Sequence, residues 1–148
     1  MAGFQTFASK VRGVKLAVEK YGIPLAIDVA PANRHDTKAI VPVLRELADG
    51  GFQGPALGDL GYRGKRLAEA GQALGITVEA IARGRDGQFI PAGICWVVER
   101  SFAWLSRYRR LNTIFERSNE HLIAFVAIAF ISILSRRLKR LVVEELSA

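Results

Sequence analysis

The sequence has very few cysteines and histidines, the residues from which small proteins form disulfide frameworks and zinc sites. It contains one cysteine, Cys95, and two histidines, His35 and His121, among 148 residues. A single cysteine excludes an intrachain disulfide, and such sparse cysteine usage is typical of a reducing compartment. A structural zinc site needs about four cysteine or histidine ligands, so the sequence argues against that class of protein.

Targeting segments and membrane-length hydrophobic runs are also scarce. The N-terminal residues MAGFQTFASKVRG lack the apolar central segment of a signal peptide. The apolar run from Leu122 to Leu134 would form a helix of about 20 Å, against a hydrocarbon core of about 30 Å. We therefore expect a helix buried inside a soluble protein and no membrane partner. A membrane-associated protein that uses this helix and the basic tail SRRLKR after it is an alternative.

Negative charge is scarce relative to positive charge. The chain has 21 lysines and arginines against 14 acids, which gives a net charge of +7. Half of its residues are hydrophobic and 24% are charged, a composition typical of one globular domain at this length. A basic balance of this size favours a polyanionic partner, either nucleic acid or an anionic membrane surface.

Hydrophobic periodicity predicts an order of strands and helices that is typical of an α/β layered domain. We interpret the chain as one domain, residues 1–148, and single out four segments. They are a β-hairpin at 14–33, a short strand with a glycine-rich turn at 55–64, a helix at 95–111 and a C-terminal apolar helix at 121–140.

Asp59 is the first of two acids at positions where a catalytic or binding residue is expected. It lies in GDLGYRG, directly after an apolar strand, and ligands of open α/β sheets bind at the carboxyl ends of strands. The glycines let the backbone turn sharply and let a substrate come close. The alternative is that Asp59 only caps the following helix or forms an Asx turn.

Glu99 is the second acid, in the stretch CWVVERSFAWLSRYRRL. At about 100° per residue, Val98, Phe102 and Leu105 share one side that suits a core, whereas Glu99 lies on another side among small residues. The alternative is a surface glutamate that pairs with neighbouring arginines. We expect Trp96 in the core, and Trp104, on the arginine side, as a candidate for DNA contact.

Together Asp59 and Glu99 are a plausible pair of ligands for Mg²⁺, which takes one or two carboxylates plus water and phosphate oxygens. Such ions promote phosphoryl transfer, and arginines hold the phosphate backbone. The candidate DNA-binding residues are Arg63, Arg100, Trp104, Arg107, Arg109 and Arg110.

GDLGYRG, the stretch CWVVERSFAWLSRYRRL and the apolar helix that ends in LSRRL together resemble the carboxyl half of bacterial insertion-sequence DDE transposases. The segment KVRGVKLAVEKYGIPLAIDVAPANRHD is similar to the hairpin of the same family, so the likeness runs from about Lys10 to Leu138. It implies an RNase H-like mixed sheet flanked by helices. It also implies DNA transposition by metal-dependent cleavage and strand transfer, at the nucleoid in the bacterial cytoplasm.

By this resemblance Asp59 matches the second acid of an Asp, Asp, Glu triad and Glu99 the third, with Mg²⁺ or Mn²⁺ as cofactor and transposon ends as partner. Arg107 or Arg110 matches the basic residues that the family places downstream on the same helix. The family's first Asp lies on the central strand before the hairpin, and MAGFQTFASK contains no acid.

We therefore expect a domain that lacks its first, central strand and its first catalytic Asp, and that is inactive alone. An upstream transposase fragment or a second copy of the chain would be a further partner. A non-catalytic basic DNA-binding module is the alternative function.

Overall fold

The computed structural model describes residues 2–8, 12–81, 92–114 and 116–147, so Lys10, where the family likeness begins, lies outside the described residues. The strands are β1 (Ala2–Ala8), β2 (Arg12–Glu19), β3 (Pro24–Pro31), β4 (Gly54–Gly58) and β5 (Ile76–Ala80). The helices are α1 (Asp36–Ala39), α2 (Val41–Asp49), α3 (Lys65–Gln72), α4 (Ala92–Leu105), α5 (Arg109–Asn112) and α6 (Asn119–Leu146), with a 3₁₀ turn at Leu60–Tyr62.

The five strands form one mixed sheet in the order β3-β2-β1-β4-β5. The first three strands are antiparallel neighbours, with Ala2 opposite Glu19 and Ala8 opposite Gly13 in the β1–β2 ladder. β4 runs parallel to both β1 and β5. The expected class, an α/β fold with a mixed sheet flanked by helices, is confirmed.

The expectation that the central strand is missing is wrong. The N-terminal residues form β1, which lies in the middle of the sheet and pairs with β2 along its whole length. Without β1, the facing edges of β2 and β4 would have unpaired backbone groups, and a segment without charged residues, AGFQTFA, can supply the missing hydrogen bonds. The strand is present, whereas an acid on it is not.

Alternation along β2 divides the core into two layers, one on each face of the sheet. Val14, Leu16 and Val18 are buried on the face that α4 and α6 cover. Ala17 points to the other face, where it packs with residues of α2 and α3 such as Leu44 and Leu67. The fold is therefore a three-layer sandwich, as expected when both faces of a sheet are apolar.

Helix α4 is shorter at its carboxyl end than the sequence predicts, since it ends at Leu105 and Arg109 begins a separate helix, α5. Ser106 ends the helix: its hydroxyl donates to the carbonyl of Ala103, and its own carbonyl accepts from the Asn112 side chain at 2.6 Å. Such local side-chain hydrogen bonds compete with helix continuation. Glu99 and the arginines at 109 and 110 are therefore on different helices.

Helix α6 is longer than expected and only its first half is buried. Its buried residues end at Phe130, while later residues such as Ile131, Leu138 and Leu141 are mostly exposed. The expectation of a buried helix from Leu122 to Leu134 is therefore only partly correct, because Ile128 and Ile131 are 59% and 64% exposed. By length and composition α6 could cross a membrane, but core helices of soluble proteins pass the same test.

Candidate functional site

Asp59 is held in a tight turn at the carboxyl end of β4. Its Oδ1 accepts a hydrogen bond from the backbone N–H of Gly61 at 2.9 Å, so it caps the 3₁₀ turn that follows. A Cβ at Gly61 would lie 3.0 Å from the same oxygen, which explains the glycine. Tyr62, 3% exposed, anchors the turn in the core under α2. The Asx-turn alternative for Asp59 is thus realised, and it leaves Oδ2 without a hydrogen-bond donor among the described residues.

A basic hollow of about 520 Å³ lies beside this turn. Gly61 forms part of its wall, together with Lys15 on β2 and with Arg34 and His35 in the loop before α1. Lys15 is 2% exposed, and its Nζ lies 2.6 Å from Asp36 Oδ1. The loop that carries Arg34 therefore lies next to the carboxyl end of β4, a proximity for which the sequence gives no local signal.

Glu99 is exposed on α4, as the helical pattern predicts. Val98, Phe102 and Leu105 are 2%, 8% and 5% exposed and face the sheet, whereas Glu99 and Ala103 are on the exposed side. Helix α4, which carries Glu99, packs on β1 and β2 and also contacts β4, the strand that Asp59 follows.

The described residues do not complete a metal centre. Within the described ranges no group of three or more histidine, cysteine, aspartate or glutamate side chains is placed to hold an ion. The central strand, which runs beside Asp59, contains no acid in its sequence AGFQTFA. Two carboxylates are a weak ligand set for Mg²⁺, which then keeps most of its shell as water.

A strongly basic groove of about 680 Å³ lies between α4 and α6, and we call it the α4–α6 groove. Its lining has five arginines and one acid. These residues are Arg100 and Arg107 from the α4 end, and Arg136, Arg137, Arg140 and Glu144 from α6. Trp104 and Tyr108 complete its floor with apolar residues of α6. Three of the six predicted DNA-binding residues, Arg100, Trp104 and Arg107, thus meet in one place.

Two arginines of the groove are held in fixed positions by the turn between β2 and β3. Arg100 Nη2 and Arg137 Nη1 both donate to the carbonyl of Tyr21, at 3.2 and 2.9 Å. Both guanidinium groups also lie over the Trp104 ring, at 4.9 and 5.0 Å from its centre. The Trp104 ring therefore contacts two cations. We infer that it holds these two arginines in position and is not free to stack on bases.

The environment of Arg100 opposes its positive charge. Burial lowers the pKa of Arg100 and the neighbouring Arg137 lowers it further, while Glu19 raises it. Its Nε is buried and has no hydrogen-bond partner among the described residues. A bound anion would relieve the charge repulsion between Arg100 and Arg137.

The other predicted DNA-binding residues lie elsewhere. Arg63 is exposed just after the Asp59 turn, and Arg109 is exposed on α5. Arg110 is engaged: its Nε lies 2.8 Å from Glu116 Oε1, and its guanidinium lies over the Phe125 ring. This pairing joins α5 to α6 and gives Arg110 a structural role.

Sequence reasoning misplaced Trp96 and missed the arginines of α6. Trp96 was expected in the core but is 56% exposed, with the Arg100 guanidinium 4.5 Å from its ring centre. Arg136, Arg137 and Arg140 are not among the predicted DNA-binding residues, because nothing in their local pattern shows that α4 packs beside them. The i, i+4 spacing of Arg136 and Arg140 was the available signal.

Comparison with known families settles the assignment. Two models of the transposase DDE domain match, one over residues 9–88 and the other over residues 57–135, and each spans more than half of the 148 residues. The chain belongs to the transposase DDE domain family. The match assigns this transposase domain to DNA transposition and places Asp59 within both matched segments and Glu99 within the second.

Solved structures show the same fold at low sequence identity. The catalytic core domain of BIV integrase superimposes with a TM-score of 0.61 at 14% identity, over 88% of this transposase domain and 80% of that chain. A simian T-cell lymphotropic virus intasome in complex with PP2A regulatory subunit B56 gamma gives 0.57 at 13% identity, over 87% of this chain and 46% of that one. No curated protein sequence matches. These likenesses establish the RNase H-like fold of the transposase domain.

Proposed function

We propose that this chain serves in DNA transposition as a domain that supplies two acids of the catalytic site, Asp59 and Glu99, and that obtains the third from elsewhere. The observation that carries the proposal is the position of Asp59. It lies one residue past the carboxyl end of β4, next to a central strand that has no acid. An upstream transposase fragment or a second copy of the chain is the proposed source of the missing carboxylate.

Asp59 and Glu99 are the residues that would hold Mg²⁺ or Mn²⁺. Such an ion supplies activation of a water or hydroxyl nucleophile and stabilises the leaving oxygen. Because the described residues hold no third acidic ligand for it, the chain by itself fits the ion only weakly. We infer that the isolated chain binds DNA and does not cleave it at a useful rate.

The proposed DNA partner is a transposon end, in the bacterial nucleoid. Near Asp59 the cations available for phosphates are Arg63 and Arg34, which lie on the two loops at the carboxyl ends of β4 and β3. Arg107 and Arg109 add exposed positive charge beyond α4. Phosphate contacts of this kind position DNA without reading its sequence.

The register of β1 suggests a direct test by restoring an acid. Gly3 pairs with Leu57 on β4, so position 5 is level with Asp59, two residues further along both strands. The antiparallel ladder pairs position 5 with Leu16, which is buried under α4. We expect Gln5→Asp to raise Mn²⁺ affinity well above that of the natural chain, measured by calorimetry, whereas Gln5→Asn leaves it unchanged.

A plasmid-nicking assay tests whether the chain alone has a complete catalytic site. The natural chain should leave supercoiled DNA intact in Mg²⁺ or Mn²⁺. Nicking by the natural chain that Asp59→Asn abolishes would show that the site is complete and would overturn the proposal. Equal Mn²⁺ affinity in Gln5→Asp and Gln5→Asn would contradict the placement of the missing acid.

A non-catalytic DNA-binding module is the second candidate, and the absence of a third acid among the described residues favours it. It predicts that Glu99→Ala has no effect on either DNA binding or Mn²⁺ binding. The first candidate predicts that the same substitution lowers Mn²⁺ affinity while DNA binding survives, since phosphate contacts depend on lysine and arginine.

A further inference from the structure

We propose that the α4–α6 groove binds the phosphate backbone of double-stranded DNA at a distance from Asp59, as a clamp on the flanking duplex. This inference rests on the proposed function, because it takes DNA as the partner. Its first support is charge: five arginines and one glutamate line a single groove. Three of the arginines, Arg107, Arg136 and Arg140, are exposed there.

The second support is the fixed geometry of the groove. Arg100 and Arg137 are tied to one backbone carbonyl and to one indole ring. Flexible surface arginines lose side-chain entropy when they bind a phosphate, whereas these two are already ordered.

The third support is the distance of the groove from Asp59. Ala56, Ala2 and Glu19 are level with one another across three strands. Asp59 lies three residues beyond this level in one direction, and Tyr21, which holds the groove arginines, lies two residues beyond it in the other. The separation along the strands is about 17 Å at about 3.3 Å per residue. This corresponds to about five base pairs of duplex.

Double-stranded DNA fits this surface better than single strands or bases do. Guanidinium groups recognise phosphate through paired donors, whereas stacking on bases needs a free aromatic face. Of the two rings in the groove lining, Trp104 lies under Arg100 and Arg137, and Tyr108 donates its hydroxyl to the Ala129 carbonyl. We therefore expect binding that is independent of sequence, independent of metal and strongly dependent on salt.

The test is fluorescence anisotropy of a short labelled duplex with the full chain in EDTA, repeated across salt concentrations. In the groove variant Arg136→Gln/Arg140→Gln, the slope of log K against log salt should fall by about 1.8, and affinity near 0.1 M salt should fall about tenfold or more. Both residues are exposed, so the fold should persist, which circular dichroism checks. Arg136→Lys/Arg140→Lys should retain most of the slope because it keeps the charge.

The matched control is Arg45→Gln/Arg66→Gln, which removes the same charge from exposed positions on α2 and α3, on the opposite face of the sheet. It should change affinity by less than about threefold. Equal losses in the groove and control variants would overturn the proposal, since net charge alone would explain binding. A groove variant that keeps DNA affinity but loses binding to anionic vesicles would also overturn it, in favour of a membrane surface. Because no metal is present, these outcomes are independent of whether Asp59 and Glu99 hold an ion.

Discussion

Gly22, in the turn between β2 and β3, supports a quantitative prediction because two separate constraints act on it. Its φ is +85°, a backbone conformation that disfavours residues with a Cβ. A Cβ there would also lie 3.1 Å from Ser101 Oγ and 3.2 Å from Trp104 Cζ3. Neither neighbour can move freely, since Ser101 is fully buried and bonded to the Val97 carbonyl, and the Trp104 ring contacts two arginines.

Gly51 is a matched control for the backbone part of this cost. Its φ is +82°, and a Cβ on it would meet nothing within 4 Å. Gly51→Ala should therefore lose only the conformational part, about 1 kcal/mol. Gly22→Ala should lose that amount plus about 1–3 kcal/mol for overpacking against α4.

Urea and thermal unfolding, followed by circular dichroism and tryptophan fluorescence, measure the difference. A loss of about 2–4 kcal/mol corresponds to a melting temperature lower by roughly 6–12 °C for a domain of this length, and Gly51→Ala should lower it by about 3 °C. Gly22→Ala should also weaken DNA binding, because the carbonyl of Tyr21 holds Arg100 and Arg137 in the α4–α6 groove. Equal stability losses in the two variants would refute the packing of this turn on α4.

Two further predictions concern charged groups. Asp36→Asn should destabilise the fold by about 1–3 kcal/mol, because it removes the counterion 2.6 Å from the buried Lys15 ammonium. Glu69→Gln, in an exposed pair with Lys65, should change the free energy of unfolding by less than about 0.5 kcal/mol; similar losses in both would contradict the burial of Lys15. Burial, opposed by a hydrogen bond from the Ile27 N–H and reinforced by Asp28, raises the pKa of Glu46 above 4.5. The ionised carboxylate is therefore less favourable in the folded chain, so Glu46→Gln should stabilise the fold at neutral pH. That gain should disappear as the pH falls through the folded pKa towards 4.5, and a gain that persists at pH 4 would contradict it.

Local pattern was sufficient for elements whose burial follows their own periodicity. The apolar side of α4 could be predicted because Val98, Phe102 and Leu105 recur at helical spacing, and all three are buried. The turn at Asp59 could be predicted because Asp and Gly have strong local preferences, and the structure has an Asx turn there. The α/β class followed from the order of such elements.

The same reasoning was wrong in three places, where contacts with other parts of the chain decide the structure. The central strand was missed because AGFQTFA becomes a strand only when the edges of β2 and β4 flank it. Helix α4 was expected to continue to residue 111, whereas a hydrogen bond from Asn112 to the Ser106 carbonyl helps to end it earlier. Trp96 is exposed because the apolar side of α4 that the sheet covers does not include it.

The sequence by itself determined the family and the fold class and predicted the two acids, since these depend on residue types at fixed spacings along short stretches. It also determined that no acid stands on the strand beside Asp59. Tertiary structure alone decided where the arginines meet. Arg100 and Arg137 are 37 positions apart in sequence, and only the packing of α6 beside α4, with the Tyr21 carbonyl between them, makes one basic groove of them. The number of charged residues follows from the sequence, but the electrostatic potential at a bound phosphate depends on distances that only the folded chain determines.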